Sequence, residues 1–341
     1  MELFDVTIVG GGPAGLYSAF YSGLRDLKTK IIEFQPTLGG KVNIFLEKML
    51  WDVGGQPPIV AAQFIDNLVN QAMTFQPTIC LETKVQTIRK EQHYFVIETN
   101  DGTAHYSKTV IIATGGGIYK PIKLAIDGAK KYEMTNLHYT IKVIDRFRNH
   151  DVLISGGGNG AVDWAVELLP IAKSVTLIYR KEELTAHEAQ VRKLRENGAK
   201  ILLNSELVSL QSNDEKTAIE QVVICQNGEN TTAKMDDIII SHGYDREVSL
   251  DFDAAIRPER KDDYYLQSIG KCQTTVPGIF GAGDIVAYED KVNLLIGTFQ
   301  DAVLAVNSAK LYMNPEANHY AMVSSHNEKF REKNQALYAQ I

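Results

Sequence analysis

Cysteine is scarce in this chain of 341 residues: Cys80, Cys225 and Cys272 are widely separated and odd in number. No Cys-x-x-Cys pair exists, so a local dithiol is excluded, and so sparse a set fits a reducing compartment. No apolar run approaches the ~20 residues that a helix needs to cross a bilayer. The chain opens almost at once into a strand (Asp5 to Val9), leaving no room for a signal peptide, so a cytoplasmic location is expected. Positive charge is also short. The 35 Lys and Arg residues face 42 Asp and Glu, a net charge of −7, which argues against general nucleic-acid binding. Low-complexity tracts are absent. With 44% hydrophobic and 23% charged residues, the composition is globular and the length suits two domains.

Glycine occurs in two informative runs. The first, Gly10-Gly11-Gly12-Pro13-Ala14-Gly15, follows Phe4 to Val9, a β-branched stretch that reads as a buried parallel strand. Apolar residues then recur at helical spacing from Pro13 to about Leu24, and Lys28 to Phe34 reads as a second strand delivering Glu33. Gly10 permits the tight turn, Gly12 lets the backbone approach phosphates, and Gly15 lets helix and strand pack closely. The free N–H groups and the dipole of the helix stabilise a pyrophosphate. Glu33 is placed to accept hydrogen bonds from a ribose 2′-hydroxyl, as in FAD or NAD. The alternative for such a run alone is an ordinary turn.

The second run, Gly156-Gly157-Gly158-Asn159-Gly160-Ala161, repeats the pattern after Val152 to Ser155. A helix is expected from Ala161 to about Leu169 and a strand from Ser174 to Tyr179. Where the first site has Glu33, this one has Arg180 and Lys181, a planar guanidinium and a point charge that suit the 2′-phosphate of NADP. The alternative is a pair of solvated cations, and Glu182 and Glu183 follow directly. Opposite charges at matching places point to a protein that passes electrons between a flavin and NADP(H).

Two further segments bear on the first site. Thr109 to Gly117 is an apolar strand ending in Ala113-Thr114-Gly115, where the chain leaves one domain for another. Val276 to Asp284 joins a turn, a short strand and Gly281-Ala282-Gly283-Asp284, which brings a carboxylate within reach of the ribityl hydroxyls of FAD. Such turns are commonly structural; their order relative to the glycine runs gives them weight.

Over nearly its full length the chain resembles the two-dinucleotide-binding-domain flavoproteins, and within them the thioredoxin-reductase-like ferredoxin/flavodoxin–NADP+ reductases of bacteria. The resembling stretches are Gly10 to Gly15, Leu38-Gly39-Gly40-Lys41, Glu47 to Gly55, Ile112 to Gly117, Leu137-His138-Tyr139, Ser155 to Trp164, Tyr179 to Glu188 and Gly278 to Asp284. The resemblance implies an α/β fold of two Rossmann-like dinucleotide-binding domains, the NADP domain inserted into the FAD domain. Residues 1–117 and 245–312 would bind FAD, 118–244 would bind NADP, and 313–341 would form a tail covering the flavin. A helix from Gly297 to Asn307 would point at the flavin. FAD would rest on Gly10, Gly12, Pro13, Ala14, Gly15, Glu33, Gly40, Lys41, Phe45, Val85, Thr114, Gly115, Asp284 and Ser325. NADPH would rest on Gly156, Gly158, Asn159, Gly160, Ala161, Arg180 and Lys181. Also implied are a homodimer and electron transfer from NADPH through FAD to ferredoxin or flavodoxin, with no side chain acting as catalytic acid or base and no metal.

Departures from the family pattern matter too. Thioredoxin reductases carry a Cys-x-x-Cys shortly before the second run, where this chain reads Asn136-Leu137-His138-Tyr139-Thr140. Bacillithiol-disulfide reductases carry a cysteine inside the first run, where Ala14 stands. All three cysteines read better as small buried hydrophobes, so thiol chemistry is disfavoured. Phe45 replaces the family's flavin-stacking tyrosine, with a plain core role as its alternative. Thr185 replaces a third phosphate-binding arginine. Val323, followed by Ser324, Ser325 and His326, stands where a histidine is expected over the flavin. Lys41, Lys48, Lys329, Arg331 and Lys333 would form a basic patch for an acidic electron carrier, or simply a solvated surface. Two other activities share the same motifs: an NADPH diaphorase or oxidase reducing free flavin, quinone or ferric chelates, and a non-enzymatic NADP(H)-responsive redox sensor.

Overall fold

A computed structural model describes residues 2–141, 143–247 and 250–338; the last three residues of the expected tail lie outside this set. The chain divides into two compact units, one of residues 1–43, 48–118 and 247–341, the other of residues 44–47 and 119–246. The short stretch 44–47, with Phe45, groups with the second unit, a division that the glycine patterns do not announce.

The first unit begins with β1 (Leu3–Val9), α1 (Pro13–Leu24) and β2 (Thr29–Ile32). Val6 and Ile8 on one face and Thr7 and Val9 on the other are all at most 5% exposed, as a strand covered on both faces requires. α2 (Ala61–Ala72) and β3 (Thr78–Cys80) follow, then β4 (Val85–Glu91), β5 (Tyr94–Thr99) and β6 (Ala104–Ile112). The second unit holds β7 (Leu137–His138), β8 (Asp151–Ser155), α3 (Asn159–Leu168), β9 (Ser174–Tyr179), α4 (Glu188–Glu196) and β10 (Lys200–Leu203). It continues through β11 (Ser205–Ser212), β12 (Ile219–Gln226), β13 (Glu229–Lys234) and β14 (Asp237–Ile240). The chain returns to the first unit with β15 (Asp251–Phe252), β16 (Ile279–Gly281) and α5 (Leu295–Met313).

In the first unit the strand order is β15-β4-β5-β6-β1-β2-β3, with β16 also paired to β6. β1 runs parallel to both β2 and β6. The outer edge of β6 is shared: its first residues pair antiparallel with β5, and Val110 to Ile112 pair parallel with Ile279 to Gly281 of β16. In the second unit a five-stranded parallel sheet runs β7-β14-β8-β9-β10. Alternation along β8 sends Val152 and Ile154 to the face covered by α3 and Leu153 to the opposite face. There it meets Val222 and Ile224 of the antiparallel ribbon β11-β12-β13. Each unit therefore carries a β-α-β start among parallel strands, within a mixed sheet in the first unit and a wholly parallel one in the second, the setting in which ligands bind beyond the carboxyl ends of the strands.

Candidate dinucleotide-binding sites

In the first unit four segments converge on residues 10–15. Gly10 has φ +112°, and a Cβ there would lie 2.4 Å from the Ala113 carbonyl oxygen, so the turn leans on the end of β6 beside Thr114. A Cβ on Gly40 would lie 2.7 Å from Gly12 Cα, and the Gly39 N–H donates to the Gly11 carbonyl at 2.8 Å. A Cβ on Gly283, next to Asp284, would lie 2.8 Å from that of Ala14. The fourth is Glu33, one residue past β2 and 7% exposed; its carboxylate accepts from the Gly11 N–H at 2.5 Å and the Gln35 N–H at 2.7 Å. Burial raises its pKa, and the backbone hydrogen bonds from Gln35, Gly11 and Phe34 oppose that shift. α1 starts with Pro13, no side chain caps it, and its first turn has no acid, which leaves its amides turned to an incoming anion.

The other residues expected at this site are placed as follows. Gly115 has φ +59° and its carbonyl accepts from the Tyr264 hydroxyl. Lys41 is exposed and Phe45 half-buried. Val85 is buried in the core with its backbone paired to Thr99. Asp284 is half-buried in a single helical turn, Gly283–Ile285. Ser325 is exposed on a short turn with its hydroxyl 3.2 Å from the His326 ring, a contact within its own segment rather than with the glycine loop.

The second loop is built alike. Gly156 has φ +153°, and a Cβ there would lie 2.3 Å from the Ser241 carbonyl oxygen beyond β14. A Cβ on Gly157 would overlap the Tyr179 ring, whereas one on Gly158 would meet nothing within 4 Å among the described residues, so that backbone is open to a ligand. Gly160 lies by Ser241, and Ala161 is buried against Gly156. The following segment folds over the loop: the Thr185 N–H donates to the Gly157 carbonyl at 2.8 Å and the His187 N–H to Asn159 Oδ1 at 2.9 Å. Thr185 is thus a strap on the loop as well as a missing arginine. Arg180 and Lys181 stand just past the end of β9, both exposed. Lys181, Glu182, Glu183, Thr185 and Asn204 line an open depression of about 420 Å³; the two glutamates therefore share the rim with the lysine.

Two groups escape the sequence patterns. His242, after β14, has its Nε2 2.8 Å from the Ser155 hydroxyl; partial desolvation and the nearby Arg180 charge lower its pKa. Asp301, within the apolar α5, is fully buried, and its charge in an apolar helical run is the one signal visible in the sequence. Where thioredoxin reductases carry a cysteine pair, His138 bonds Asp237 at 2.7 Å, and the other oxygen of Asp237 meets the His150 ring at 2.6 Å. All three cysteines are free. Cys272 is buried as expected, yet its thiol also donates to Asp301, whereas Cys80 and Cys225 are only half-buried. Of the expected basic patch, Lys329 is committed to Asp26 and to the Gly23 carbonyl, and Arg331 faces Glu328 at 3.6 Å.

Residues 4–309 match the pyridine nucleotide-disulphide oxidoreductase family. The chain is 56% identical over 339 residues to ferredoxin–NADP reductase 3 of Lysinibacillus sphaericus (strain C3-41), covering 98% of this chain and 97% of that one. It is 50% identical over 343 residues to ferredoxin–NADP reductase 1 of Bacillus thuringiensis (strain Al Hakam), covering 100% and 98%. Among solved structures it is similar to thioredoxin reductase of Lactococcus lactis in its FR conformation, with TM-score 0.72, 25% identity and coverage of 91% and 98%. The bacillithiol disulfide reductase of Staphylococcus aureus shares the fold, with TM-score 0.68, 19% identity and coverage of 92% and 100%.

Proposed function

The chain belongs to the pyridine nucleotide-disulphide oxidoreductase family, and from that premise we propose that it is a ferredoxin–NADP reductase, moving electrons from NADPH through FAD to ferredoxin. The observation that carries this reading is full-length identity of 50–56% to relatives of that name, joined to two glycine loops of opposite neighbouring charge and three free cysteines. Bound FAD supplies the redox chemistry, accepting electrons in pairs and releasing them singly.

The residues present fit that cofactor. The loop 10–15 has no room for side chains at Gly10 and Gly15, so its backbone lies flat for a pyrophosphate at the uncapped start of α1. Glu33 retains lone pairs for a ribose hydroxyl beyond the Gly11, Phe34 and Gln35 amides it already serves. Asp284 binds the ribityl chain, Gly40 and Lys41 close the loop from the other side, and Phe45 stacks on the flavin ring. Gly158 lets NADPH phosphates approach the backbone, and Arg180 and Lys181 take the 2′-phosphate. Residues 1–117 and 245–312 form the FAD domain and 118–244 the inserted NADP domain. Flavodoxin is a second acceptor, the assembly is a homodimer, and the location is the cytoplasm.

Anaerobic stopped-flow tests the reading. NADPH should bleach the flavin absorbance faster than NADH at equal concentration, and oxidised ferredoxin should restore it, more slowly as ionic strength rises. Preferential reduction of free quinone or ferric chelates, with ferredoxin inert, would replace ferredoxin as the acceptor; tight NADPH binding without turnover would indicate a sensor.

A further inference from the structure

Asp301 is fully buried, with both carboxylate oxygens engaged away from the glycine loops. Oδ1 accepts from the Tyr288 hydroxyl at 2.6 Å and from the Cys272 thiol at 3.6 Å. Oδ2 accepts from the Gly283 N–H at 3.1 Å and from the ammonium of Lys291, itself almost wholly buried. Burial first, then Asp301 itself, pushes the thiol and the phenol above their ordinary ranges, so both remain protonated donors. Such a carboxylate is costly to desolvate and tolerable only because one cation and three further donors surround it.

Of these four donors, the Gly283 amide alone belongs to the backbone. Gly283 has φ +78° and packs against Ala14, and the next residue is Asp284. The carboxylate therefore ties α5 to the turn that presents Asp284 beside the first glycine loop. We propose that Asp301, with Lys291 as its counter-ion, is a positioning residue for FAD: by gripping the Gly283 amide it sets where Asp284 meets the ribityl chain. This rests on reading the first loop as the FAD site.

The test is a titration of apoprotein with FAD, followed by flavin fluorescence, which involves neither NADPH nor an electron acceptor. Removing one partner of a buried pair strands the other, so both are replaced. Lys291→Met with Asp301→Leu should raise the FAD Kd about ten-fold or more, the range expected for losing a charge-assisted hydrogen bond. Lys291→Met with Asp301→Asn keeps an acceptor for Gly283 and should recover most of that loss, while the two apoproteins melt within a few degrees of each other. The proposal fails if the leucine variant binds FAD like the parent, or if both variants weaken alike. Should the leucine variant not fold, Lys291→Met with Asp301→Thr carries the same expectation, because a threonine hydroxyl in a helix bonds its own preceding turn. A parent protein that takes up no FAD would refute the functional reading itself, a result distinct from any difference between variants.

Discussion

A Cβ on Gly15 would fall 1.9 Å from the carbonyl oxygen of Gly10. No rotamer relieves that overlap, because both atoms belong to the backbone frame of the first loop. Gly15→Ala should therefore force helix and strand apart at a cost of about 3 kcal/mol or more, and the protein should purify without flavin. Gly54→Ala is the control, since a Cβ there meets nothing within 4 Å among the described residues. The ratio of flavin to protein absorbance reads the outcome, and equal ratios would refute the expectation.

Arg180→Ala should raise the KM for NADPH about ten- to hundred-fold, the range for losing a charged hydrogen bond. With NADH, KM should be unchanged, because the arginine has no 2′-phosphate to meet. Steady-state kinetics should also show kcat preserved with NADPH, the mark of uniform binding.

Thr185→Arg asks the converse. Thr185 straps the loop chiefly through its backbone amide, which the substitution retains. An arginine on the rim of the depression with Lys181 should lower the KM for NADPH about two- to five-fold, the scale of an exposed charge pair. The gain should fade at high salt; a KM that rises would mean the strap needs the threonine hydroxyl.

His105 supplies a pH dependence. It is buried with Nδ1 3.0 Å from the Lys30 ammonium, and Nε2 has no protein partner among the described residues. Burial, then the Lys30 charge, lowers its pKa from the ordinary 6.5. The unfolded chain thus binds this proton more readily than the folded one. The contribution of His105 is complete above pH 6.5 and is lost as pH falls toward the depressed value. Melting of the parent should deteriorate faster between about pH 7.5 and 5 than that of His105→Gln; parallel curves would assign the acid sensitivity elsewhere.

Much of the architecture is legible in the amino-acid sequence alone. Strands running into glycine turns and acids or bases at strand ends are local patterns, and β1, α1, β8, α3 and β9 fall within a residue or two of their expected bounds. What escapes such a reading depends on distant partners. The ligands of Asp301 come from residues 272, 283, 288 and 291, brought together only by the return of the chain. Ser155 and His242 meet because β14 lies beside β8, a pairing that no spacing encodes. Thr185 reads in sequence only as a lost cation; its backbone role is invisible in side-chain identity.

The divided edge of β6 also has a consequence for how the chain is born. Val110 to Ile112 stay without their neighbour on that side until Ile279 to Gly281 have been made, whereas every strand of the intervening parallel sheet is complete by Ile240. On the ribosome the middle unit can close while the first still offers an open apolar edge. Such edges recruit foreign strands, and pairing across so long a separation is slow. Aggregation during synthesis should therefore begin at this strand, and chains truncated before residue 279 should depend most heavily on chaperones.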